Sequence, residues 1–116
     1  MIKKQSIKGY PDLDISIFEA SHDIKKINRW FDECLANINW IEGTIKIFGK
    51  EHNIPRLQAW YANEDINYKY SGKALLRNNW NPVLNEIKDD IELATSQKFN
   101  SVLGNLYRDG SDSMGL

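Results

Sequence analysis

A single cysteine, three prolines, two histidines and no apolar run of membrane-spanning length set the outer bounds of this 116-residue chain. The lone Cys34 excludes an internal disulfide and a cysteine-rich zinc site, which suits a reducing compartment. Met1-Ile2-Lys3-Lys4 gives way to polar residues and Pro11 before any stretch of signal-peptide length, so neither secretion nor membrane insertion is expected. The expected compartment is the cytoplasm, or the nucleus in a eukaryote. A strong overall charge is missing too, with 15 Lys and Arg against 16 Asp and Glu. Residues 1–42 carry six basic and seven acidic side chains, residues 43–80 six and three, and residues 81–116 three and six. The middle is the basic part, although an excess of three charges is a weak field for nucleic acid.

What is present is ordinary for a folded domain. Apolar residues at 41% and charged residues at 27% exclude general disorder, and the length allows one domain with a modest core. Ile15, Ile17 and Ala20 lie in a short β-like run, followed by Ser21 as a helix cap and a helix from about Asp23. Ile24, Ile27, Trp30 or Phe31, Cys34, Leu35 and Ile38 then recur on one helical face. Gly43 ends that region; Thr44 to Phe48 alternates as a strand, with a turn at Gly49-Lys50. Pro55 to Ala62 and Ile66 to Ser71 read as strands joined by a polar turn. Asn81-Pro82 starts a second helix that buries Val83, Leu84, Ile87, Ile91 and Ala94, while Asp89, Asp90 and Glu92 face water. Phe99 to Tyr107 is a further strand, leading into the loop Arg108-Asp109-Gly110-Ser111-Asp112. Trp30, Trp40, Trp60 and Trp80 share no surrounding pattern and read as packing residues.

Several separated motifs agree in order with one family. Phe48-Gly49-Lys50, Pro55-Arg56, Trp60-Tyr61, Tyr68-x-Tyr70-Ser71-Gly72, Trp80-x-Pro82-Val83-Leu84 and Phe99-Asn100-x-Val102-Leu103 are followed by Asn105-x-Tyr107 and the Arg108 loop. This succession resembles the AlkB family of iron(II) and 2-oxoglutarate dioxygenases, most closely its DNA-repair members, over residues 43 to 116. Residues 1–42 fit only loosely. The family's next motif, the iron-binding His-x-Asp, does not occur in the chain, whose histidines are His22 and His52. Glu19-x-x-His22 has metal-like spacing, but its place at a strand-to-helix junction favours a capping or surface role.

The resemblance implies an α+β fold, with helices packed on the opening strands of a double-stranded β-helix (jelly-roll) barrel, truncated. One partial domain is expected: an N-terminal strand and helix in residues 1–42, substrate-recognition hairpins in 43–80, and a helix and first barrel strand in 81–116. It further implies iron(II) and 2-oxoglutarate as cofactors of the complete family member, with iron not expected to bind this chain alone. The expected activity is oxidative removal of alkyl groups from nucleic-acid bases, with the iron-binding half lacking and the isolated chain inactive. A non-catalytic nucleic-acid-binding module, or one subunit of a two-chain enzyme, stands as the alternative. Alkylated DNA or RNA is the expected partner.

By the same resemblance, Asn105 and Tyr107 contact 2-oxoglutarate. Spacing alone favours a structural role, with Tyr107 in a half-buried barrel core and Asn105 a strand-end residue satisfied by backbone; the flanking Phe99-Asn100 and Arg108-Asp109-Gly110 reverse that preference. Tyr70 would stack on a flipped base with Tyr68 and Ser71 beside it, and the bland alternative is a pair of cross-strand aromatics. Phe48, on the Gly49-Lys50 turn, resembles a wedge that replaces a flipped base in the stack, with simple core packing as its alternative. Lys50 would meet phosphate, and Arg56 matches a position near the gap. Gly43 to Lys50 lacks the glycine spacing and the Ser or Thr of a phosphate-binding loop, so a nucleotide triphosphatase is rejected.

Overall fold

The computed structural model describes residues 2–6, 15–20, 22–66, 69–70 and 73–114, and side chains within all of these except 2–6, 20, 69–70 and 73–74. The chain divides into two compact units, Met1–Asn37 with Asn81–Phe99, and Ile38–Trp80 with Asn100–Leu116. Among the described residues the secondary structure is an α+β mixture with two helices and an open mixed sheet. No helix among the described residues is long and apolar enough to cross a membrane.

In the first unit, strands β1 (Ile2–Ser6) and β2 (Ser16–Ala20) pair antiparallel, with Ile2 opposite Ala20. Helix α1 (Ile24–Asn37) and helix α2 (Pro82–Thr95) complete it. The expected cap Ser21 lies outside the described residues; Asp23 Oδ1 accepts from the Lys25 N–H at 2.8 Å instead. Helix α2 begins as its sequence demands. Pro82 has no N–H to satisfy, and the Asn81 side chain accepts from the Leu84 N–H at 2.9 Å.

Val83 and Leu84 are buried as expected, but Ile87 and Ala94 are half-buried and Ile91 is exposed, and α1 likewise buries less of its apolar stripe than its periodicity suggests. Trp30 and Cys34 are half-buried, whereas Ile24, Phe31 and Leu35 stay exposed. The side of α1 that meets α2 is joined to it largely by polar groups. Arg29 Nη2 donates to Glu86 Oε1 at 2.6 Å, and Lys26 Nζ lies 3.6 Å from Asp90 Oδ2. Glu92 was expected in water, yet its side chain is mostly covered, because it accepts from the Phe99 N–H and sits beside Lys88 and Lys98. His22 is not a surface residue either. It packs edge-on to Trp30 with 5.3 Å between ring centroids, and its Nε2 lies 3.1 Å from Asp90 Oδ2.

The second unit is organised by one long strand. β4 (Lys50–Ala62) pairs antiparallel with β3 (Ile41–Ile47) and with β8 (Ser101–Leu106), and parallel with the short β7 (Arg77–Asn78). Leu57 and Gln58 pair with both β3 and β8, which puts those two strands on opposite edges of β4; β7 shares the β3 edge further along. β5 (Lys69–Tyr70) and β6 (Lys73–Ala74) form a separate antiparallel pair.

β3 starts earlier than the sequence suggests and runs through Gly43, where the register shifts between Glu42 and Thr44. Glycine suits this bulge because a Cβ there would lie 2.9 Å from Ile54 Cδ1. The core is the far half of β4: Ile54, Ala59, Trp60, Tyr61 and Ala62 are buried. Trp40 lies over Gly104, where a Cβ would meet its ring at 3.2 Å. Polar bonds fasten the rim. The Asn39 N–H donates to the Tyr61 hydroxyl at 2.8 Å, Asn78 Nδ2 to the Trp60 carbonyl at 3.0 Å, and Trp80 Nε1 to Asn63 Oδ1 at 2.9 Å.

Candidate functional site

Two places in the sheet unit hold most of the residues singled out from the sequence. The first is the tip of the β3–β4 hairpin. Ile47 pairs with Lys50, leaving Phe48 and Gly49 as the two turn residues, with φ of +50° and +79°. Two successive positive φ angles match the twist of a tight hairpin, and Gly, Asn or Asp are the residues that accept them cheaply. Phenylalanine at such a position is strained, and nothing in the fold compensates it: Phe48 is fully exposed, next to exposed Ile47. Core packing, the alternative reading of Phe48, is therefore not what the structure shows. Lys46, Lys50 and His52 are also exposed on this arm, with Lys46 facing Glu51 and Ile45 facing His52 across the ladder.

The second place is the β4–β8 ladder. Gln58 stands directly opposite Asn105, and continuing the register past Leu57 and Leu106 brings Arg56 opposite Tyr107. Strand alternation sends these four side chains to one side of the sheet. Arg56 and Gln58 are only 6% and 4% exposed. Arg56 Nε and Gln58 Nε2 each donate to Asn105 Oδ1 at 3.2 Å, and Arg56 Nη1 donates to the Ser113 carbonyl at 3.2 Å. Tyr107 remains 45% exposed. Arg56 is thus brought to Asn105 and Tyr107 and buried there, rather than displayed with Phe48 and Lys50.

The loop after β8 is held by its own side chains. The Arg108 N–H and Nε donate to Asp112 Oδ2 at 2.9 and 2.8 Å, and Nη2 donates to Oδ1 at 3.2 Å. These bonds hold the Asp112 carboxyl below the usual aspartate range and raise the Arg108 guanidinium. Asp109 is lowered in the same way by the Ser111 hydroxyl and N–H. The Ser113 N–H donates to the Pro55 carbonyl at 2.8 Å, which ties the end of the loop back to β4 beside Arg56.

Tyr68 and Ser71 lie outside the described residues, and of Tyr70 only the backbone is described, in β5 opposite Lys73. Gln58 was missed by sequence reasoning. Its signal was there, since Arg56-x-Gln58 places two polar side chains on one face of a strand whose other residues from Leu57 to Ala62 are apolar or aromatic.

The donor set of the ladder suits an anionic oxygen ligand. Asn105 Nδ2, the Arg56 guanidinium and the Tyr107 hydroxyl are donors, and among the described residues no carboxylate lies within ion-pair distance of Arg56. The residues do not fit a metal. No three His, Cys, Asp or Glu side chains gather into a group that would hold one, among the described residues.

No family model matches the chain. Curated proteins do. The chain is 39% identical over 97 residues to the DNA oxidative demethylase ALKBH2 of Bos taurus, covering 84% of this chain and 32% of that protein. It is 33% identical over 102 residues to ALKBH2 of Mus musculus, covering 88% and 43%. With the alpha-ketoglutarate-dependent dioxygenase alkB homolog 3 of Mus musculus it shares 48% identity over 101 residues, covering 86% and 35%. The chain therefore spans about a third to two fifths of the length of these relatives. Identity of 33–48% along most of its own length shows that the chain belongs to the AlkB family.

Proposed function

We propose that this chain is the substrate-facing part of an AlkB-like dioxygenase that removes alkyl groups oxidatively from the bases of DNA. The observation that carries the reading is Phe48, an exposed aromatic residue in a positive-φ turn position where asparagine or glycine would cost less. A strained position kept for an apolar side chain that packs on nothing is the mark of a side chain used on a partner. Between stacked bases Phe48 would fill the space vacated by a flipped base, with Lys50 and Lys46 against the phosphates. Tyr70, with Tyr68 and Ser71, is the proposed wall of the base pocket.

The β4–β8 ladder is the proposed seat of 2-oxoglutarate, with Asn105 and Tyr107 donating to its oxygens. When bound with iron, that acid supplies the electrons for oxygen activation. What this chain contributes is a fixed set of donors on a sheet. The iron ligands are proposed to come from a polypeptide stretch outside residues 1–116, in the same or a second chain, and the sheet is proposed to be the opening part of a double-stranded β-helix.

Fluorescence anisotropy with a labelled duplex carrying one alkylated base tests the DNA half of this reading. Phe48→Asn is expected to weaken binding while raising stability by up to about 1 kcal/mol, because it relieves the turn. Lys50→Ala is expected to reduce the slope of log affinity against log salt by about one. A Phe48→Asn protein that binds the duplex as well as the wild type would sink the wedge.

A further inference from the structure

The amide of Asn105 is held in one orientation. Its Oδ1 accepts from both Arg56 Nε and Gln58 Nε2 at 3.2 Å, so both lone pairs of that oxygen are engaged. Turning the amide over would press its NH2 against two donors. The Nδ2 group consequently points away from Arg56 and Gln58, and it donates to no described residue. A side chain that is ambivalent in isolation has been made a donor by its neighbours.

Charge points the same way. Arg56 is buried, and among the described residues its guanidinium bonds only to neutral oxygens, the Asn105 side chain and the Ser113 carbonyl. A covered guanidinium without a carboxylate is costly unless an anion comes near it. Gln58 is buried as well, directly opposite Asn105 on the ladder. Neither residue needs to touch the ligand to matter.

We infer that Arg56 and Gln58 are positioning residues of an acid-binding site: together they fix the Asn105 amide so that it donates to a carboxylate, while Arg56 supplies charge for a dicarboxylate to balance. This rests on the proposed reading of Asn105 and Tyr107 as contacts to 2-oxoglutarate, and it moves Arg56 from the base gap to the acid site. The decisive substitution is Gln58→Glu, which keeps size and replaces a donor by an acceptor. The new carboxylate draws the Asn105 NH2 inward, turns Oδ1 toward the ligand, and neutralises Arg56.

The test is nuclear magnetic resonance of the 116-residue chain, observing the side-chain NH2 signals of Asn105 with and without 2-oxoglutarate. In the wild type, 2-oxoglutarate is expected to shift these signals. In Gln58→Glu one Asn105 amide proton is expected to move downfield and resist solvent exchange before any ligand is added, with 2-oxoglutarate affinity at least about tenfold weaker, the size expected for losing a hydrogen bond to a charged group. Arg56→Lys, which keeps the charge and loses the fork, is expected to weaken affinity less than Gln58→Glu does. Unchanged backbone signals of Trp60 and Tyr61 distinguish these effects from loss of the fold. Asn105 signals and affinity that are the same in Gln58→Glu as in the wild type overturn the inference alone. Wild-type Asn105 signals that ignore millimolar 2-oxoglutarate overturn the acid site itself, and the inference with it.

Discussion

The two ends of β4 belong to one strand and have opposite surroundings. From Lys50 to Asn53 every residue is exposed, paired only with the β3 arm of the hairpin; from Ile54 onward all but Pro55 and Leu57 are buried, and Leu57, Gln58, Trp60 and Tyr61 pair with strands on both edges. The difference is one of neighbours: the near end has β3 alone, whereas the far end has β8 on one edge and β3 and then the parallel β7 on the other. A strand with one partner offers its side chains to whatever approaches, whereas a strand with two fixes its side chains against each other. Hence the tip carries an unsupported Phe48, and the stem carries an Arg56–Gln58–Asn105 group whose orientation is set from inside.

The sharpest way to break this comparison is to truncate one aromatic residue at each end. Trp60→Ala, in the buried half, is expected to cost about 3–5 kcal/mol by urea unfolding. Phe48→Ala at the tip is expected to change stability by no more than about 0.5 kcal/mol in the same assay. A similar cost at both positions would mean that the tip is packed. Gly104→Ala asks whether the stem tolerates added volume; a Cβ 3.2 Å from the Trp40 ring is expected to cost about 1–3 kcal/mol. Gly49→Ala probes the tip backbone. At φ +79° with open space around it, the penalty is purely conformational, about 1–2 kcal/mol, and no neighbouring resonance should shift.

The smallest effect concerns acid. Asp112 and Asp109 have carboxyl groups lowered by Arg108 and Ser111, so their bonds order the loop at pH above the ordinary aspartate value. That order is lost as pH falls below the ordinary aspartate value and through the depressed folded ones. Loop resonances from Arg108 to Ser113 should broaden there while those of Trp60 and Tyr61 stay fixed. Loss of both together would join the loop to the stem in one cooperative unit.

Much of the framework was legible because local chemistry wrote it. Asn81-Pro82 announces a helix start, the run from Pro55 to Ala62 announces a strand that the structure extends back to Lys50, and Gly49-Lys50 announces a turn that the structure forms one residue earlier, at Phe48-Gly49. The start of β3 was not legible, since Gly43 reads as a breaker until Ile54 is seen against it. The exposure of Ile24 and Leu35 was hidden for a related reason: helical periodicity identifies an apolar stripe but not how much of it a neighbour covers. At the site, the resemblance picked out Asn105 and Tyr107 as a pair, and placed Arg56 with the hairpin tip. Gln58 went unnoticed, because its importance lies in standing opposite Asn105, 47 residues away in the chain.

By itself the sequence determined which family's motifs the chain carries, where its second helix begins, and that a single thiol and two histidines limit its own chemistry. Only the tertiary structure decided which way the Asn105 amide faces and that Arg56 is inside rather than out. The physical reason is that helix caps, turns and periodicity are set by neighbours in the chain, whereas burial and hydrogen-bond direction are set by the strand across the ladder, and register alone determines which residues that strand presents.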